Sequence, residues 1–229
     1  MISIDYEPAL VEAAVLAARA DGRSFHDERD PLYGIVDAEA RESAFVALHG
    51  RWFQRLGLDR SLTEALAERP EIAAACARCV VGRAGAAAAE AADLLVAPPG
   101  RPTLLVRCTP DRLAVRELAL AFLRHELLHV ADMLDRDFGY EPCLPPATGA
   151  RLRDDRRAER YRVLWDAHVD GRLVAEGRAP LSVRLARLQE FRQAFPELDE
   201  EAEATFQRFF GARRCTHANL VALASAPAV

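Results

Sequence analysis

The run Thr103-Leu104-Leu105-Val106-Arg107-Cys108, the Thr109-Pro110-Asp111 after it, and Leu123-Arg124-His125-Glu126-Leu127-Leu128-His129-Val130-Ala131-Asp132 further on decide how this chain reads. The first run is short and apolar and is bounded by turn residues, which predicts a strand. A capping threonine, a proline at the first helical position and an acid in the first turn then open a helix. We expect that helix to reach about Asp135, with Leu120, Leu123, Leu127, Val130 and Leu134 as its core-facing stripe. His125 and His129 lie four residues apart on another face, and Glu126 is angularly offset from both.

Outward from this centre, Leu94-Leu95-Val96-Ala97 reads as a second strand, joined to the first by a turn through Pro98-Pro99-Gly100-Arg101-Pro102. Earlier residues carry helix signals. Residues 8–20 start at Pro8 and stop at Asp21-Gly22, and residues 37–56 place Phe45, Leu48, Trp52 and Leu56 at helical spacing. Ser61-Leu62-Thr63-Glu64 reads as a capping box opening a helix that ends before Pro70. Residues 71–92 read as an alanine-rich helix weakened by Gly82 and Gly85. Residues 136–150 form a loop rich in proline and glycine, and from 151 onward the pattern is helical, broken near Gly177, Pro180, Pro196 and Gly211. The fold class expected is therefore α+β, mainly helical, with a small sheet near residues 94–108.

The composition excludes several classes. The 229 residues carry 30 basic and 35 acidic side chains, a formal charge of −5, so nucleic acid is not the expected partner. No apolar run approaches the roughly 20 residues of a membrane span. The start of the chain, Met1-Ile2-Ser3-Ile4-Asp5-Tyr6-Glu7, lacks a basic segment followed by an apolar one, and a cytoplasmic address is expected. All basic residues are arginine and Asn219 is the single asparagine, a coding bias of a GC-rich genome and not a choice of arginine for anion recognition. Five scattered cysteines fit a reducing compartment. Cys76-Ala77-Arg78-Cys79 has no second pair for a zinc ribbon and reads as packing within the alanine-rich helix.

Histidines at i and i+4 on a helix can hold one metal ion, and a glutamate between them can handle a proton. Zinc bound by two imidazoles and a carboxylate keeps one position for water and lowers that water's pKa towards neutrality. The competing reading is a core helix whose histidines border a polar stripe. The His125-Glu126-x-x-His129 helix and the strand before it resemble the active-site helix of the zincin superfamily of zinc metallopeptidases, in a gluzincin- or aspzincin-like form. The resemblance implies zinc as cofactor, His125 and His129 as ligands and Glu126 as the general base. It also implies a strand that pairs with extended substrate, a role that would fall on Thr103–Cys108. The metzincin glycine and third histidine are absent, and Asp132 stands on the metal-facing side as an acceptor for an imidazole N–H.

The third ligand must come from elsewhere. In residues 159–172, Glu159, Asp166 and Asp170 share one helix face and His168 points away. The gluzincin spacing of a ligand followed four residues later by a supporting aspartate falls on Asp166 and Asp170, with aspartate in the ligand's place. Either can be the ligand with the other behind it, Glu159 and His168 remain open, and a solvated acidic face is the alternative. Tyr140, Tyr161, His168 and Arg172 are candidate donors to an oxyanion.

We thus read residues 1–229 as one zincin-like domain, with subdomains 1–140 (small sheet and His-Glu-x-x-His helix) and 141–229 (helical, with the third ligand). The expected function is zinc-dependent hydrolysis of a peptide or protein, with Glu126 as base. The alternatives are a non-catalytic zincin-like metal-binding or regulatory module and a di-iron carboxylate bundle built on Glu126-x-x-His129. The latter would need a second such unit, which the chain does not contain.

Overall fold

In order along the chain stand β1 (Ser3–Tyr6), α1 (Pro8–Ala17), α2 (Arg23–Arg29), α3 (Ala38–Arg55), α4 (Arg60–Ala67), α5 (Pro70–Ala75), β2 (Arg78–Arg83), β3 (Ala91–Leu95), β4 (Thr103–Cys108), α6 (Pro110–Ala114) and α7 (Arg116–Leu134). Then follow α8 (Arg151–Ala175), α9 (Val183–Ala194), α10 (Ala202–Phe210) and α11 (His217–Ala224). This is an α+β fold, mainly helical, with one mixed sheet. The structure, a computed structural model, describes residues 2–18, 23–96, 100–142 and 151–226, without the side chains of 151–153. The Asp21-Gly22 stop, the Pro98-Pro99 turn and the loop from residue 143 to 150 lie outside the described residues. Among the described residues no helix is long and apolar enough to cross a membrane. The chain divides into two compact units, 1–127 and 128–229, with the boundary inside α7.

The first unit is built on a sheet of order β1-β2-β4-β3, in which β1, β2 and β4 are parallel and β3 is antiparallel to β4. Tyr6, Val81, Val106 and Cys108 from the sheet meet Ala119, Phe122 and Leu123 around a small apolar cavity, so the first half of α7 packs on the sheet. Arg124 fixes that half of the helix by a two-pronged bond to Glu68, at 3.0 and 2.7 Å.

Three expectations fail here. The alanine-rich stretch 71–92 is not one helix. Only α5 forms, and β2 begins at Arg78 because Cys79, Val80 and Val81 pair with Leu104, Leu105 and Val106 of β4. Alanine's helix propensity amounts to tenths of a kcal/mol per residue, less than a buried strand gains from pairing on both sides. Cys76 therefore follows α5 and Cys79 sits inside β2, both buried, with burial pushing the Cys79 thiol up to about 12. They are packing residues. Ser61 is no cap, since α4 starts at Arg60 and Ser61 is buried in its first turn. The helix opened by Thr109 is interrupted at Val115, whose extended backbone separates α6 from α7.

The second unit wraps α9, α10 and α11 around α8, which is buried almost all round from Arg160 to Gly171. Leu164, Phe191, Phe195, Phe206 and Leu220 form its core. A helix buried on every side must neutralise each polar group it carries. Arg160 does so by donating to the Ala194 carbonyl at 2.9 Å and to both Glu197 oxygens at 2.7 and 2.8 Å. Glu197→Ala would strand that guanidinium and should destabilise the fold by about 2 kcal/mol, read from urea unfolding. An unchanged midpoint would show that the backbone carbonyls alone suffice.

Candidate metal centre

Helix α7 continues into the second unit and carries His129 into it, buried at its C-terminal end. Its Nε2 lies 3.2 Å from Oδ1 of Asp166 on α8. Two ligands of one tetrahedral zinc ion sit about 3.4 Å apart, given bond lengths of about 2.0–2.2 Å. His125, one turn earlier on the same helix, completes a group whose ligand atoms all lie within 4.8 Å of one another. Among the described residues this is the one cluster of histidine, cysteine and acidic side chains close enough to hold an ion. Two imidazoles and a carboxylate are a donor set that catalytic zinc sites use, so these side chains could hold the ion that the resemblance implies.

The carboxylate oxygens of α8 are apportioned by arginines. Asp166 is only 7% exposed, and its Oδ2 accepts from Arg162 at 2.8 Å and from Arg187 of α9 at 3.4 Å, leaving Oδ1 towards His129. Asp170, 5% exposed, is bound through Oδ2 by Nε of Arg187 at 2.6 Å and lies outside the group. The acidic face of residues 159–172 is thus not a solvated surface, although Glu159 at its start is exposed and takes no part. His168 is buried against α10, where Nδ1 donates to the Phe209 carbonyl at 3.2 Å. Burial, with Arg172 adding to it, pushes its pKa down to about 4 and keeps it neutral.

Behind His129 stands Trp165, whose ring meets the imidazole edge-on with centroids 4.5 Å apart. Its Nε1 donates to Oδ2 of Asp132 at 2.8 Å, and Arg172 grips both oxygens of Asp132 at 2.8 and 2.5 Å. Asp132 therefore supports the histidine through the indole, on which Phe138 also stacks. Three of the four candidate oxyanion donors are committed elsewhere. Arg172 holds Asp132, His168 holds Phe209, and the Tyr161 hydroxyl is bonded to Nδ1 of His217 at 2.7 Å in a buried aromatic cluster. Tyr140 is half-buried beside Trp165.

In the first unit Glu126 is half-buried, and its Oε2 accepts from the backbone N–H of Ala92 at 2.9 Å. The sheet order overturns the assignment of Thr103–Cys108 as the strand open to an extended peptide. β4 is hydrogen-bonded to β2 on one side and to β3 on the other, so its backbone groups are spent. The outer strand on that side is β3, and Ala92 presents its N–H outward there.

The sequence reading missed Trp165, Arg187 and Ala92. Arg162 could have been found from its i,i+4 spacing to Asp166, but Arg187 comes from another helix and leaves no local pattern. Comparison of the chain with models of known protein families, with curated proteins and with solved structures finds no match.

Proposed function

We propose that the chain is a zinc-dependent peptidase similar to the zincins, with His125, His129 and Asp166 as ligands and Glu126 as general base. The observation that carries this reading is the convergence of those three side chains within 4.8 Å, with Glu126 next in sequence to a ligand yet outside the ligand set. Zinc, when bound by such a set, polarises a carbonyl and makes water acidic enough to lose a proton near neutral pH. Glu126 takes up that proton and returns it to the leaving amine. Asp166, braced on one oxygen by two arginines, keeps the other in place, and Trp165 fixes the ring of His129. Backbone carbonyls on the outer edge of β3 accept from an extended peptide or protein substrate. The four described cysteines are free thiols, which supports a cytoplasmic setting.

Metal analysis of wild type, His129→Ala and Asp166→Asn, beside hydrolysis of a peptide library, tests the reading. Wild type should carry about one zinc per chain, lost in His129→Ala and bound at least about ten-fold more weakly in Asp166→Asn. Zinc without turnover would support a non-catalytic module, and two irons a di-iron protein. No metal in wild type after zinc addition would refute the site.

A further inference from the structure

Asp166 and Asp170 lie one turn apart on α8, and both are buried. Two such carboxylates, left to themselves, would both turn towards a dication. A side chain from α9 stands in the way. Arg187 spans the pair from α9, with Nε on Oδ2 of Asp170 at 2.6 Å and Nη1 on Oδ2 of Asp166 at 3.4 Å. Nη1 is itself tied to Glu190 at 2.6 Å. Arg162 also reaches Asp166, but its side chain is 59% exposed against 19% for Arg187, so solvent screens it more.

We infer that Arg187 is the positioning residue that selects the metal ligand, withholding Asp170 and leaving a single oxygen of Asp166 to the ion. The inference rests on the metal-site reading and adds to it a cause for the choice between two chemically equal carboxylates. An arginine is charged at any pH at which a protein is handled, so this restraint is always present. Its planar fork suits the task, because one rigid group meets two acceptors at once.

The test uses the full chain loaded with Co2+, whose visible spectrum reports coordination number. Wild type and Asp170→Asn should share the same intense four-coordinate bands, since Asp170 is not a ligand. Arg187→Met, which keeps the aliphatic stem but loses the fork, should show a several-fold weaker spectrum as a further carboxylate oxygen joins the ion. If Arg187→Met fails to fold by circular dichroism, Arg187→Lys replaces it, because a point charge cannot span both carboxylates and the same loss of intensity is expected. A wild-type spectrum in the folded arginine variant would overturn the inference, as would loss of cobalt binding in Asp170→Asn. Absence of cobalt and zinc binding in wild type itself would instead refute the metal site on which the inference stands.

Discussion

Glu126→Ala should lower peptide hydrolysis by about 10²–10⁴-fold while the protein keeps its zinc. The expectation follows from how the carboxylate is placed. The proposed ligand atoms belong to His125, His129 and Asp166, so truncating Glu126 takes none of that group away. What it removes is the proposed proton carrier, together with an acceptor for the N–H of Ala92. Glu126→Gln separates these two losses. Its amide oxygen can still accept from Ala92, but the side chain cannot take up a proton, so its activity should fall as far as that of the alanine variant. Parallel elemental analysis and peptide hydrolysis decide the matter. Recovery of activity in Glu126→Gln would show a role in holding β3 and not in proton transfer, and loss of zinc in either variant would mean that the ligand set is misassigned.

The second large effect concerns stability. A Cβ on Gly171 of α8 would lie 1.8 Å from the Phe210 carbonyl oxygen and 2.7 Å from its carbon, both backbone atoms at the end of α10. A flexible side chain could swing away from such an overlap, but a helix terminus cannot without shifting the packing of α8 on α10. Gly171→Ala should therefore destabilise the fold by more than about 3 kcal/mol, measured by urea denaturation. Gly177 provides the control. It has a positive φ of 70° but nothing near its virtual Cβ, so alanine there should cost only about 1 kcal/mol. Equal losses at both positions would show that the α8–α10 approach is not tight.

Local signals were read well wherever a few neighbouring residues decide the outcome. The Thr109 side chain does accept from the N–H of Arg112, and β3 and β4 pair antiparallel. The helix expected over 37–56 forms as α3, with Leu48 and Trp52 buried. At β2 the alanine-rich composition signals helix, but β1 and β4, distant in sequence, supply the pairing. The pattern on α8 is ambiguous for a related reason. Polar residues buried on all sides of a helix leave no amphipathic pattern, so a neutralised core helix and a solvated acidic one look alike until their partners are known.

By itself, the sequence determined the His125-Glu126-x-x-His129 arrangement, because 3.6 residues per turn place those imidazoles on one face whatever surrounds the helix. It also determined the α+β class and the strand that precedes the helix. Only tertiary structure decided that Asp166 and not Asp170 faces His129, because an arginine from α9 holds the other carboxylate. Tertiary structure likewise decided that β3 is the outer strand next to β4 and that Ala92 meets Glu126. Periodicity acts over one or two turns, whereas strand order and ion pairing are settled by which distant segments can bury their surfaces and charges together.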